Sequence, residues 1–291
     1  MVRPIQVMIV GAEKSGTSSL ARYLEQHPSI CSHEQREMTY FVNAEEYAQG
    51  YEKIYSRYFA KCQNESSILL AKNVGVMYWS EAVKHLSHHN PECQLIAILR
   101  NPVDRAYSAY WYARRMGWED LDSFEDAIAA EPNRLKEGGF KRRYCAYLDR
   151  GIYHKQLTVL FEYFRRSQVH IFLFEDLKRE PISICHKIYK SLGIDLHYLP
   201  EVSQQHNKAA IPHFPIISRF LSSAHPIKKA VNNLLPKRVS AQIRGKIRHW
   251  NEKIFLPPPM EQEIRDYLLA YFKPNNLQLE ELLRYDLSHW N

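Results

Sequence analysis

The chain has 291 residues, a formal net charge of +7 and a hydrophobic fraction of 45%. That length accommodates one large α/β domain or two small ones, and the composition excludes disordered and fibrous classes. Five widely spaced cysteines without a CxxC argue against a disulfide framework or a zinc knuckle. With no signal peptide and no apolar run long enough to span a membrane, the reduced cytoplasm is the expected compartment.

The first predicted elements are a strand over 5–10, a glycine loop from Gly11 to Gly16, and a helix over 17–26. A glycine turn between a buried strand and a helix directs backbone N–H groups at an anion, although an ordinary βα turn is the alternative. Polar side chains in and after the loop add donors: Lys14, Ser15, Thr17 and Ser18. The pattern nearly matches GxxxxGK[ST], but Thr17 replaces its lysine and Lys14 comes early.

A short strand over 29–32 is followed by the segment HEQREMTYF, which runs from His33 to Phe41. Glu37 and His33 are both candidate general bases in this segment, and Glu34 is a lesser one. Without further context, the residue pattern favours a solvated surface position for each of them. The next strand, over 68–71, leads directly into Lys72.

The stretch LRNPVDRAYSAYW follows a strand over 94–99 and predicts a second anion site. Arg100 emerges at the carboxyl end of the strand, which is the edge where open α/β sheets bind ligands. Its planar guanidinium suits a phosphate. Pro102 fits the first position of a helix, and Ser108 lies about two turns into that helix.

The later elements are a helix over 153–164, a strand over 169–174, a helix over 181–192, and a helical region over 260–283. Continuous apolar strands that alternate with helices predict the α/β class. We expect a P-loop-like central parallel β-sheet flanked by helices on both faces, with a helical C-terminal elaboration. Between Asn207 and Lys253 there are ten Lys or Arg residues and a single acidic residue, Glu252. This excess of positive charge favours the binding of polyanions.

Taken in order, these clusters resemble sulfotransferases that use 3′-phosphoadenosine 5′-phosphosulfate (PAPS), and most closely the heparan sulfate type. The matching phrases are GAEKSGT, EQHPSI, EQREMTYF, LLAKNVGVMYW, LRNPVDRAYSAY, GIYHKQLTVLFEYF, FLFEDLKREP and YDLSHW. The resemblance spans nearly all of the chain. It implies one sulfotransferase domain over 1–291, in which a basic insertion over 207–258 covers the cofactor and acceptor cleft.

The resemblance also implies a role for each cluster. The expected cofactor-binding residues are Lys14, Ser15, Gly16, Thr17, Ser18, Arg100, Ser108 and Lys208. The glycine loop would hold the 5′-phosphosulfate, and Arg100 with Ser108 would hold the 3′-phosphate. The family's cysteine-bridged lid loop is replaced here by QQHNKAAIPHFP, in which Lys208 is the substitute for the lid lysine.

The expected catalytic residues are Glu37 as the general base, Lys14 at the bridging oxygen and Lys72 near the sulfuryl group. The reaction implied is in-line transfer to a hydroxyl or amine, with a carbohydrate as the expected acceptor and no metal required. Adenosine 3′,5′-bisphosphate is the second product. No nucleic-acid partner is expected.

Two other functions fit parts of the sequence. A P-loop kinase or other nucleotide-binding enzyme would use the glycine loop, but it needs magnesium and a lysine directly after the second glycine. A non-catalytic polyanion-binding protein would account for the basic segment alone, and its binding would depend steeply on salt.

Overall fold

The computed structural model describes residues 2–202 and 257–291, together with the backbone of 210–212 and 252–254. The described chain divides into two compact units. The first contains 2–101, 152–202 and 273–291, and the second contains 102–151, 210–212, 252–254 and 257–272. Lys208 and most of the basic segment over 207–258 lie outside the described residues, so the single domain with a covering insertion stays a prediction.

The first unit is built on a five-stranded sheet in which every pairing is parallel. Its strands are β1 (Val7–Gly11), β2 (Ile30–Ser32), β3 (Ile68–Lys72), β4 (Gln94–Leu99) and β5 (Val169–Leu173), in the order β2-β3-β1-β4-β5. In the central register Met8 lies beside Ala71 on one side and Leu95 on the other. The predicted α/β class with a central parallel sheet is confirmed.

The α-helices of the described residues follow in chain order. They are α1 (Thr17–Leu24), α2 (Ala44–Ala48), α3 (Tyr51–Phe59), α4 (Ser80–His89), α5 (Pro102–Met116), α6 (Phe124–Ala129), α7 (Glu131–Glu137), α8 (Gly139–Cys145), α9 (Tyr153–Tyr163), α10 (Phe174–Arg179), α11 (Pro181–Leu192) and α12 (Gln262–Leu283). Within these ranges, no helix is both long enough and apolar enough to cross a membrane.

Hydrophobic cores cover both faces of the sheet. Along β1, Val7 and Ile9 point into one core, while Met8 and Val10 point into the other. Helices α1 and α11 pack on the first face, and α3, α4 and α9 pack on the second. Because neither face meets water, the strands are continuous apolar runs rather than alternating ones.

Helix α11 shows why some elements were predictable to the residue. Pro181 supplies the fixed φ that suits the first helical position, and its missing N–H costs nothing there. Gly193 ends the helix with φ 67, in the left-handed region that favours glycine. Both signals are local, and the observed bounds equal the predicted ones.

The second unit is held by two buried carboxylates. Arg134 donates to both oxygens of Glu119 at 2.7 and 2.9 Å, and the Tyr147 hydroxyl donates to Glu119 at 2.8 Å. Glu131 accepts the backbone N–H groups of residues 147–149 at 2.6–2.9 Å. A short antiparallel pair, β6 (Ala210–Pro212) with β7 (Glu252–Ile254), belongs to the same unit.

The cysteines depart from the sequence expectation. Cys31 on β2 and Cys62 after α3 form a disulfide, with their Cα atoms 5.7 Å apart, so the argument against disulfides is wrong for this pair. The fold brings together residues that are 31 apart in sequence, and their spacing carried no sign of this. Cys93, Cys145 and Cys185 are free and buried. The cysteines therefore give no support to the expected reduced cytoplasmic compartment.

Breaking the Cys31–Cys62 bond is expected to lower the free energy of unfolding by about 3 kcal/mol, because the closed loop restricts the unfolded chain. Urea unfolding with and without a phosphine reductant measures this loss. The matched control is the Cys31→Ser/Cys62→Ser double variant, which the reductant should leave unchanged. Thiol titration in denaturant without reductant should find three thiols, and five would contradict the bond.

Candidate active site

The connections that follow β1, β2, β3 and β4 all begin at one edge of the sheet. Parallel strands present their carboxyl ends together, and this edge is where open α/β sheets bind ligands. The chain passes there into the glycine loop after β1, the segment 33–39 after β2, the turn 73–79 after β3, and Arg100 after β4. All of these connections belong to the first unit.

The glycine loop is shaped by Gly16, which directly precedes α1. Its φ of 81 lies in the left-handed region, and an added Cβ would lie 3.0 Å from Leu177 and 3.2 Å from Phe174. The amide of Ala12 donates to the carbonyl of Ile98 at 2.8 Å, which ties the loop to β4. The first amides of α1 have no acceptor within the helix, and together with the helix dipole they attract an anion.

Ser15 provides a direct test of whether the loop fits a phosphate. Its side chain is fully buried, and its hydroxyl has no hydrogen-bond partner among the described residues. Buried hydroxyls are normally paired, because an unpaired one costs about 1–3 kcal/mol. Thr17 is also buried, and Ser18 is half-buried. These hydroxyl groups suit a phosphate, because its oxygens would accept hydrogen bonds from them.

Arg100 lies against the same loop. Its Nη1 donates to the carbonyl of Lys14 at 3.1 Å, and its guanidinium lies 4.9 Å from the centroid of the Phe174 ring. The Tyr153 hydroxyl donates to the Arg100 carbonyl at 2.9 Å and fixes the backbone at this corner. The structure therefore brings Arg100 and Lys14 together. Ser108 lies on α5, in the second unit, where it is half-buried.

An ion pair joins the segment 33–39 to the end of β3. Lys72 Nζ donates to Glu37 Oε1 and, at 3.5 Å, to Ser18 Oγ. The amide of Val74 donates to Glu37 Oε2 at 3.1 Å. The Lys72 side chain is 6% exposed and that of Glu37 is 27% exposed. A carboxylate, a lysine and a side chain from the first turn of α1 thus form one connected set.

The environment changes the basicity of Glu37. Burial raises the pKa of its carboxyl group, and the ammonium of Lys72 with the N–H of Val74 opposes that rise. A carboxylate whose pKa is raised toward the working pH is a stronger base than an exposed one. The site therefore holds a carboxylate suited to accepting a proton.

The other two candidate bases are placed differently. His33 is buried, and its Nε2 accepts the backbone N–H of Lys72 at 3.0 Å, so that nitrogen is already occupied. Burial, with the nearby charge of Lys72, lowers the pKa of His33 to about 4 and keeps the imidazole neutral. Glu34 is exposed. These positions favour Glu37 as the base.

The turn after β3 was not singled out from the sequence. Asn73 Nδ2 donates to the carbonyl of Met38 at 2.9 Å, and Asn73 Oδ1 accepts the N–H of Gly75 at 2.8 Å. This is an Asx-type turn, and the local signal for it was Asn-x-Gly directly after Lys72. Across the part of the chain that the structure describes, no group of three or more His, Cys, Asp or Glu could hold a metal ion.

Comparison with known proteins gives concordant matches. A family model for the sulfotransferase domain matches residues 4–213. Human bifunctional heparan sulfate N-deacetylase/N-sulfotransferase 3 is 26% identical over 285 residues, which cover 95% of this chain and 29% of that protein. The mouse N-deacetylase/N-sulfotransferase 4 is 28% identical over 289 residues, again 95% of this chain and 29% of that protein. The chain thus spans under a third of the length of these relatives.

A solved structure agrees over the full length. The crystal structure of a sulfotransferase from Alicyclobacillus acidocaldarius has a TM-score of 0.71 and 26% sequence identity. The match covers 100% of this chain and 99% of that one. The resemblance drawn from the sequence motifs is confirmed.

Buried His33 makes stability depend on pH. Its folded pKa of about 4 lies below the ordinary value of 6.5, so between these values the unfolded chain binds more protons and stability falls as pH falls. From about pH 7 to about pH 5, His33 should cost about 2 kcal/mol of unfolding free energy. Urea unfolding of His33→Gln should show a pH-dependent loss smaller by that amount. An unchanged loss would contradict the neutral, buried imidazole.

Proposed function

Because the chain belongs to the sulfotransferase domain family, we propose that it transfers a sulfuryl group from PAPS to an acceptor. The observation that carries this proposal is the connected set of Glu37, Lys72 and Ser18, which links a candidate base to the first turn of α1, directly after the glycine loop. The bacterial sulfotransferase that matches over the whole chain supports the same reading.

The residues proposed to hold PAPS are those that the sequence resemblance implies. They are Lys14, Ser15, Gly16, Thr17 and Ser18 for the 5′-phosphosulfate, Arg100 and Ser108 for the 3′-phosphate, and Lys208 from the segment that would cover it. When bound, PAPS supplies the sulfuryl group, and adenosine 3′,5′-bisphosphate remains. The unpartnered hydroxyl of Ser15 and the opening amides of α1 supply the donors such a ligand requires.

Glu37 is the proposed base. A carboxylate oxygen of Glu37 accepts the proton that the acceptor hydroxyl or amine loses, and the raised pKa of Glu37 favours that transfer. Lys72 orients the carboxylate through its hydrogen bond and places a positive charge between the base and the loop. Lys14 places a second positive charge in the loop itself. A preorganised donor at developing charge is typically worth about 2.7–4 kcal/mol of barrier.

The proposed acceptor is a carbohydrate amine or hydroxyl. The relatives from human and mouse are named as heparan sulfate N-sulfotransferases, and their match covers 95% of this chain. We therefore take a glucosamine-containing chain as the first acceptor to test. A kinase reading has no comparable support, because Thr17 stands where a P-loop lysine would be.

Radiolabelled PAPS tests the proposal directly. With de-N-sulfated heparin as the acceptor, the protein should transfer label to the polymer, and adding EDTA should leave the rate unchanged. N-acetylated heparosan is the matched acceptor, because its amines are blocked and only hydroxyls remain. A phosphotransferase would instead use ATP and stop with EDTA. Calorimetry that detects no binding of PAPS or adenosine 3′,5′-bisphosphate would refute the proposal.

Glu37→Gln should lower kcat by about 10²–10⁴, because the amide cannot take the proton. Affinity for adenosine 3′,5′-bisphosphate should stay within about twofold, since only the base is altered. The matched control is Glu34→Gln, which makes the same change at an exposed carboxylate three residues away and should keep kcat. A Glu37→Gln enzyme with wild-type kcat would remove Glu37 from the mechanism.

A further inference from the structure

The segment that carries Glu37 has no regular secondary structure. Residues 33–39 belong to neither a helix nor a strand, so tertiary contacts must set the direction of the Glu37 side chain. The turn after β3 holds one side of the segment, where the amide of Met38 donates to the carbonyl of Lys72 at 2.8 Å. Asn73 Nδ2 donates to the carbonyl of Met38 at 2.9 Å.

A buried carboxylate, Glu46 on α2, holds the other side of the segment. The Thr39 hydroxyl donates to Glu46 Oε2 at 2.8 Å, and the Tyr58 hydroxyl donates to the same oxygen at 3.1 Å. The amide of Thr39 donates to the Tyr58 hydroxyl at 3.1 Å. Both the backbone and the side chain of Thr39, two residues after Glu37, are therefore held by Glu46 and Tyr58.

Both oxygens of Glu46 act as acceptors in this network. The Thr39 and Tyr58 hydroxyls both lie within hydrogen-bond distance of Glu46 Oε2, and they also lie 3.0 Å from each other, where either one could be the donor. Tyr58 uses its oxygen to accept the amide of Thr39, so its proton is free for Glu46. Arg57 Nη1 donates to the other Glu46 oxygen at 2.8 Å. A glutamine at 46 offers one acceptor oxygen and adds N–H donors, so it cannot reproduce these bonds.

Glu46 is itself firmly placed. The side chain of Asn43 caps α2 by accepting the amides of Glu45 at 2.9 Å and Glu46 at 3.2 Å. Glu46 is 7% exposed and Tyr58 is fully buried. Polar groups this deep are costly to leave unpaired, so the hydrogen bonds of the network should persist in the folded protein.

We propose that Glu46 is a positioning residue for Glu37 and acts through Thr39 and Tyr58. The inference rests on the proposed function, since it takes Glu37 as the base of sulfuryl transfer. A catalytic group must be held to within about 0.5 Å of its productive position, and a displacement of about 1 Å can cost about 10²-fold in rate. Among the described residues, no hydrogen bond joins Glu46, Thr39 or Tyr58 to the glycine loop, so cofactor binding should be independent of the network.

Steady-state kinetics with PAPS and de-N-sulfated heparin test the proposal. Glu46→Gln should lower kcat about 10- to 100-fold, while the Kd for adenosine 3′,5′-bisphosphate stays within about twofold. Thr39→Val, which keeps the shape of the side chain and loses the hydroxyl, should act in the same direction. Thr39→Ser restores the hydroxyl and should restore most of kcat.

Tyr51→Phe is the control for losing a tyrosine hydroxyl outside the network. Tyr51 is half-buried, donates to the carbonyl of Arg3 at 3.0 Å in the same unit and has no bond to Thr39. It should lower thermal stability less than Tyr58→Phe, because Tyr58 is fully buried and makes more hydrogen bonds, and only Tyr58→Phe should lower kcat. If Glu46→Gln does not fold, comparing the kcat of Thr39→Val with that of Thr39→Ser tests the same proposal.

A double-mutant cycle distinguishes a role of Glu46 in positioning Glu37 from a general disturbance of the structure. If Glu46 acts through Glu37, adding Glu46→Gln to Glu37→Gln should lower kcat no further, whereas independent losses would multiply. Multiplied losses, or wild-type kcat in both Glu46→Gln and Thr39→Val, would overturn the inference while leaving Glu37 as the base. Wild-type kcat in Glu37→Gln would instead overturn the proposed function, and the inference with it.

Discussion

The contact between Lys72 and Glu37 is the interaction on which the proposed site depends. A lysine buried as deeply as Lys72 is stable only with a partner, because an unpaired buried charge is strongly destabilising. The sheet places that lysine, since Lys72 is the last residue of β3 and lies beside Ile9 of the central strand β1. The central sheet of the first unit therefore sets where the positive charge lies. Glu37 lies in a segment without regular structure, and its carboxylate pairs with the ammonium of Lys72.

The glycine loop and the segment that carries Glu37 are held in place by different kinds of interaction. The glycine loop follows directly from β1 and leads into α1, so chain geometry and backbone amides arrange it. The Glu37 side depends on side chains far apart in sequence, because Glu46 and Tyr58 must both reach Thr39. Anion binding should consequently tolerate change around Glu37, whereas the orientation of the base should not. This difference underlies the expected separation between cofactor affinity and kcat.

The sequence predicted an element correctly where the signal for that element lay in its own or neighbouring residues. The continuous apolar run of β4, and the Pro and Gly at the ends of α11, placed these two elements at their observed bounds. Helices α2 and α3 were not predicted, although Asn43, which caps α2, is a local signal for a helix start. The Cys31–Cys62 bond had no local signal, because it depends on contacts made by folding. The residue pattern alone left His33, Glu34 and Glu37 as alternatives. Burial separates them, and burial belongs to the tertiary structure. The roles assigned to all of the site residues, including Ser108 and Lys208, stay predictions.

A neutral His33 leaves Lys72 without a second positive charge beside it. Its Nε2 accepts the amide of Lys72, and a protonated imidazole there would add a second positive charge beside the same lysine. Burial prevents this at neutral pH by lowering the pKa of His33 to about 4. Lys72 then pairs with Glu37, and Arg57 pairs with Glu46 at the outer end of the network. Each of these carboxylates has its own cation, so neither competes for the other's partner. The base thus keeps the orientation that Thr39 and Lys72 impose on it.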